Sequence, residues 1–169
     1  MAAPCYIIWN GVTTALSGTT ILAPTASAAT VTPKTILQIQ NTKKMRIVEW
    51  GYILAATPVA PVTFELIETG AIAATVTTLA SSATAYNDVG ASTSSVTYGT
   101  SATGFNASLE GTITATRLLA ETYDTAAYFK QQFPLGREPE ITATNNLRVR
   151  VTPSTAVAVS VLCYVIWEE

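Results

Sequence analysis

The sequence predicts an all-β chain folded as an antiparallel β-sandwich, and three observations predict it. Short runs in which apolar and polar residues alternate recur along the chain, prolines and glycines punctuate them, and no segment demands a helix longer than two or three turns. With 169 residues the chain is long enough to bury about two-thirds of its unfolded surface around one core, so residues 1–169 read as a single domain.

The elements follow in order. CYIIW, residues 5–9, reads as a short apolar strand stopped by Asn10-Gly11, a dipeptide suited to turns that need positive φ. From Val12 to Pro33 the chain is small and polar with two prolines, a loop or an extended arm. KTILQIQN then places Leu37 and Ile39 on one face and Gln38 and Gln40 on the other, the pattern of a half-buried strand over 35–40. KMRIVEWGYIL is apolar on both faces, as a central or covered strand would be. In PVTFELIE alternation returns through Val62, Phe64 and Leu66, a strand over 62–67, and Pro58 and Pro61 exclude a helix running into it.

Residues 75–108 are mostly Ala, Ser, Thr and Gly, over a length beyond the roughly 12–15 residues usual for a structureless loop. They read as a functional insertion or as a weak hairpin, with strands before Tyr86 and around Tyr98. β-Branched residues in GTITATRLLAETYD favour a strand over 112–119 with Ile113 in the core. The best helix candidate is Tyr123–Gln132, with Asp124 as its cap. LRVRVTP points Leu147, Val149 and Val151 inward and Arg148 and Arg150 outward. TAVAVSVLCYVIWEE reads as a long strand over 156–167, with Val157, Val159, Val161, Cys163, Val165 and Trp167 on one face. Its other face carries Ala158, Ser160, Leu162, Tyr164 and Ile166.

The first strand and the last, CYIIW and CYVIW, share nearly the same five letters, yet nothing similar flanks them, so an internal repeat is not indicated. Antiparallel pairing with Trp9 opposite Cys163 would hold the two cysteines roughly 13 Å apart at about 3.4 Å per residue. A disulfide needs Cα atoms within about 7 Å. Two chain-terminal strands with equal burial, neighbours in one sheet, account for the pentamers.

Composition narrows the function. Charged residues make up 12% of the chain, half the usual share of about 25%, and the net charge is −2 without a basic run, so no electrostatic footprint for nucleic acid or an anionic membrane exists. A surface so poor in charge points to contact with another protein. MAAPCYIIWNGV lacks the charged start and the 7-to-15-residue apolar run of a signal peptide, and no stretch approaches the roughly 18 apolar residues of a membrane span. Synthesis in a cytosol, with Cys5 and Cys163 as thiols, is expected.

Chemistry is sparse. The sequence contains no histidine, which removes Ser-His and Cys-His pairs and the commonest metal ligand, and its two cysteines form no CxxC. GTSATGFN has the glycine spacing of a phosphate loop, but Phe105-Asn106 stand where Lys-Ser/Thr is required. The acid pairs Glu65/Glu68, Glu138/Glu140 and Glu168/Glu169 sit at strand ends and turns, with no recognisable sugar-binding constellation around them. No catalytic, metal-binding or cofactor-binding residue is assigned, no cofactor is expected, and the chain is read as no enzyme.

The segment QQFPLGREPEITATNNLRVRVTPSTAVAVSVLCYVIWEE, residues 131–169, resembles small virion proteins of tailed bacteriophages, head decoration proteins among them. Its LGREPEI, its alternating LRVRVT and its closing WEE carry the resemblance. What that implies is a β-sandwich of jelly-roll type standing on the outside of a capsid as a homotrimer; the long Ala/Ser/Thr-rich loops, residues 75–108 above all, depart from the family pattern, which does not fix their role. The major capsid protein would be its partner, contacted with no reaction. Candidate interface residues are Arg137 and Glu138, on the turn that Gly136 permits between Pro134 and Pro139, and Leu162, Tyr164, Ile166 and Trp167 on the last strand. A tail or neck component and a carbohydrate- or ligand-binding sandwich are the alternatives.

Overall fold

Two antiparallel sheets packed face to face form the protein in the computed structural model, which describes residues 3–11, 25–26, 31–79, 84–88 and 90–169. Eight strands carry the frame: β1 (Cys5–Trp9), β3 (Lys34–Gln40), β4 (Met45–Leu54), β5 (Val62–Thr69), β9 (Thr116–Asp124), β10 (Tyr128–Gln132), β12 (Asn146–Pro153) and β13 (Ser160–Glu168). Their spatial order is β10-β4-β13-β1 in one sheet and β3-β12-β5-β9 in the other. That order, with the chain passing between sheets at most connections, is the eight-strand double Greek key of a jelly roll. Short strands widen both sheets. β2 (Thr25–Ala26) pairs with β13, β7 (Thr84–Ala85) with β1 and β11 (Glu140–Ile141) with β4, while β6 (Thr75–Thr78) and β8 (Gly104–Leu109) extend the second sheet beyond β3. Of the Val12–Pro33 loop or arm, residues 12–24 and 27–30 lie outside the described residues.

Inward-facing positions of both sheets interdigitate. Leu37, Phe64, Leu66, Leu147, Val149 and Val151 of one sheet meet Trp50, Tyr52, Val161, Cys163, Val165 and Trp167 of the other, all fully buried or nearly so. The rings of Tyr52 and Phe64 stack across the sheets with centroids 3.7 Å apart. β4 is apolar on both faces for two reasons: it is central in its sheet, and its parity changes. Ile166 opposes Glu49 while Trp167 opposes Ile47, leaving Val48 as the extra residue of a bulge, so the inward set runs Met45 and Ile47, then Trp50, Tyr52 and Leu54.

The terminal pentamers pair antiparallel in adjacent strands, one residue away from the register with Trp9 opposite Cys163. Trp9 opposes Tyr164, Ile7 opposes Ile166, Tyr6 opposes Trp167 and Cys5 opposes Glu168. Cys163 faces the core and Trp9 the outside, so a register joining them would turn one strand inside out. Read in opposite directions, the Tyr-x-x-Trp spacing matches Tyr to Trp twice, once inside (Tyr6–Trp167, 5.9 Å) and once outside (Trp9–Tyr164, 4.7 Å). Both cysteines are free.

Several expected boundaries differ. The strand expected over 112–119 starts at Thr116, because its partner β5 ends at Thr69, opposite Thr116; Ile113 lies before the strand, only half-buried. Tyr123–Gln132 is no helix: β9 and β10 belong to different sheets, and the Asp124 carboxylate accepts the Ala126 N–H at 2.7 Å to cap a turn between them. The last strand starts at Ser160, with Val157 exposed. Within 75–108, β6 pairs with β8 rather than with the Tyr98 region. Around Tyr98, Val96 bridges to Asn41 and the Gly99 N–H donates to the Leu79 carbonyl at 3.0 Å, just beyond β6.

Arg148 does not point into water. Its side chain is fully buried on the outer face of the six-stranded sheet, beneath the connections that surround β6 and β8. Nη1 donates to the Glu110 carbonyl at 2.9 Å, Nη2 to the Ile72 carbonyl at 2.7 Å, and the Glu110 carboxylate stands 3.5 Å away. Neighbouring outward positions act alike. Gln38 Nε2 donates to the Ser101 carbonyl and its Oε1 accepts the Ala74 N–H, Asn146 Nδ2 donates to the Gly70 carbonyl, and Thr35 donates through N–H and Oγ1 to the Glu110 carboxylate. The insertion together with its flanks, residues 70–115, is thus fastened by polar side chains to a sheet face whose alternation had suggested solvent.

Arg148→Ala is expected to destabilise the fold by about 2–4 kcal/mol, because it leaves the Glu110 and Ile72 carbonyls without their donor and takes the cation from half-buried Glu110. Urea unfolding measures the loss, and limited proteolysis should cut first within residues 70–115.

Candidate interaction surfaces

With the β3 and β12 side of one sheet covered by the insertion and its flanks, the outer face of the seven-stranded sheet and the two ends of the sandwich remain open. On that outer face the sequence-predicted residues separate. Trp167 is fully buried and points into the core, where it packs against Tyr6. Ile166 is buried, Tyr164 is 7% exposed and Leu162 is half-buried. Tyr164 lies across Gly51, where an added Cβ would come within 2.9 Å of its ring and 2.6 Å of the Phe129 carbonyl oxygen, so only glycine fits beneath it. Its hydroxyl donates to Glu49 Oε1 at 2.6 Å, and Lys130 Nζ lies 3.1 Å from Glu49 Oε2. Burial, reinforced by the Glu49 carboxylate, pushes the Tyr164 phenol well above its usual pKa. Of the three tryptophans, Trp50 and Trp167 are wholly enclosed and only Trp9 reaches the surface.

One end of the sandwich is ionic. There the β10–β11 turn carries Arg137, exposed, and Glu138, half-buried; the Arg137 N–H closes the turn on the Pro134 carbonyl, and Glu138 accepts the Gly136 N–H at 2.8 Å. Lys44 pairs with Glu140 and Arg46 with Glu168. The acid pairs singled out in the sequence are all engaged in holding loops or strands. Glu65 meets Arg150 at 3.0 Å, and Glu68 accepts from Thr142 N–H, Asn145 Nδ2 and Arg117 Nε. Glu169 accepts from Asn41 Nδ2, Ser94 Oγ and the Ser95 N–H.

The other end is the reverse. Its connections are residues 55–61 between β4 and β5, 125–127 between β9 and β10, and 154–159 between β12 and β13, and none contains an ionisable residue. Nor does the sequence from Asn10 to Pro33, which joins β1 to β3. Among the described residues, Lys34 and Asp124 at strand ends border this surface. Among the described residues, exposed Val59 and Val157 lie on these connections and exposed Val31 just before β3, while Ile53 and Tyr128 face outward at the neighbouring edge of the seven-stranded sheet and Tyr123 at that of the six-stranded sheet. Sequence reasoning missed this asymmetry, although the absence of charge from each of these connections was visible. What could not be read was that they meet at one end.

Comparison with protein-family models, curated proteins and solved structures found no match.

The ionic end sets a pH dependence. Burial alone would raise the carboxyls of Glu68 and Glu169, but hydrogen bonds from Thr142, Asn145 and Arg117 to Glu68, and from Ser94, Ser95 and Trp167 to Glu169, outweigh it and hold both below their usual pKa. A carboxyl depressed in the folded state stabilises the fold above its unfolded pKa, and that stabilisation disappears as pH falls through the depressed value. Thermal midpoints are therefore expected to decline below about pH 4.3, the ordinary glutamate pKa. Glu68→Gln should melt lower at pH 7 and show a shallower acid decline.

Proposed function

We propose that this chain is a capsid decoration (cement) protein: a structural virion protein, made in the bacterial host cytoplasm and bound as a homotrimer to the outside of a phage head, with the major capsid protein as its partner. The observation that carries the reading is the charge-free, apolar end of the jelly roll. Exposed apolar surface concentrated at one end marks a contact with protein, because single scattered hydrophobic residues are ordinary while a gathered patch is costly in water. The opposite end, dense in ion pairs, is suited to solvent. A molecule so polarised attaches in one orientation, and it strengthens a shell by burying area across neighbouring capsomers, with no reaction required. The resemblance of residues 131–169 to phage virion proteins supports the same reading. Between copies, the outer face of the seven-stranded sheet supplies half-buried Trp9 and Leu162 beside exposed Ile53 and Tyr128.

Light scattering on the pure protein is expected to give the mass of a trimer. Added to heads assembled without it, the protein should co-sediment in saturable amount and raise the temperature at which the heads rupture. Labelling found by electron microscopy on tails or necks of the parent particle would move the role to those structures. A monodisperse monomer that ignores heads and binds a soluble glycan would replace the structural reading with ligand binding.

A further inference from the structure

We infer that the cleft between the β4–β5 and β12–β13 connections is an anchor pocket that receives an apolar side chain projecting from the capsid subunit; this rests on the decoration reading. The cleft has a volume of about 260 Å³ and its walls are residues 55–62 and 153–160, with Pro58, Pro61 and Val62 on one side and Pro153, Val157 and Val159 on the other. Val59, 90% exposed, stands at its rim.

Three properties specify the occupant. Size comes first: clefts that enclose whole small molecules run from roughly 300 to 1,000 Å³ and place several convergent polar groups. This one is smaller and suits part of a protein, a side chain entering from above. Charge is second. No wall residue is ionisable, so an acid or base would lose its hydration without gaining a partner, whereas an aliphatic or aromatic group loses nothing. Rigidity is third. The two walls are tied at both ends, by the Ala55 N–H to the Ser160 carbonyl at 3.0 Å and by the Ser154 N–H to the Pro61 carbonyl at 3.2 Å. Prolines at 58, 61 and 153 restrict φ to about −65°. A pocket already formed spares the ordering cost of binding, and a small desolvated pocket ringed by apolar surface is where interface energy concentrates.

Two substitutions test the pocket, both at exposed positions. Val59→Asp places a charge at the rim and Ala158→Trp fills the cleft; Ile72→Asp, at an exposed site on the insertion, is the control. Each is first checked for unchanged oligomer mass and circular dichroism, then titrated against heads assembled without the protein. Binding by Val59→Asp and Ala158→Trp is expected to weaken about 30-fold or more, the loss of a hot spot, with Ile72→Asp binding as the unsubstituted chain does. If the unsubstituted chain binds heads and both pocket variants bind equally well, the pocket is overturned and the decoration reading stands. Failure of the unsubstituted chain to bind heads removes both.

Discussion

The antiparallel register between Cys5–Trp9 and Cys163–Trp167 is the constraint on which the frame depends, because β13 is the strand through which β1, β2 and β4 are joined into one sheet. Its two Tyr–Trp pairs lie on opposite faces, so a slip by one residue would separate both pairs and turn the aromatic groups of one strand to the wrong faces. The near-identity of the pentamers is thus a consequence of pairing: two strands read in opposite directions present the same spacing of aromatic groups to each other. Closing the sheet with the chain's own ends also brings Asn10 into it, whose Nδ2 donates to the Val161 carbonyl and whose Oδ1 accepts the Cys163 N–H.

A second polar device governs the other sheet. Residues 70–115 are too rich in Ala, Ser, Thr and Gly to assemble a core of their own, since small side chains bury little apolar area against the entropy of ordering a long segment. Arg148, Gln38, Asn146 and Thr35 provide what the insertion lacks, aiming donors at its backbone carbonyls and at the Glu110 carboxylate. Burial pulls the Arg148 pKa down, while Glu110 opposes the shift. The arrangement turns a low-complexity segment into a third layer over the β3 and β12 side of the six-stranded sheet, while β9 at its edge stays exposed.

Polarity follows from where the connections gather. In a jelly roll, alternate connections collect at opposite ends, and here one set is free of charge while the other is crossed by the Lys44–Glu140 and Arg46–Glu168 pairs. Ion pairs keep an end soluble at little energetic gain. An end without them, carrying Val59 and Val157 in the open, favours contact with protein, and it is the feature from which the decoration role and its anchor pocket are argued.

By itself the sequence determined the fold class and most strand positions, since period-2 alternation and proline-rich turns act locally: Leu37, Phe64, Val149, Val151 and Val161 are core residues as their patterns predict. Of the candidate interface, only the surface turn with exposed Arg137 and half-buried Glu138 was legible, because Gly136 and two prolines are local signals. Tertiary structure decided the rest. Whether an outward arginine meets water or carbonyl oxygens depends on which segment lies over it, so Arg148 and Arg150 could not be told apart in LRVRV. Trp167 shares its apolar strand with Tyr164, but pleat and register alone assign the first to the core and the second to the outer face. The charge-free end exists only because three connections far apart in sequence, residues 55–61, 125–127 and 154–159, meet at one end, and no window along the chain contains more than one of them.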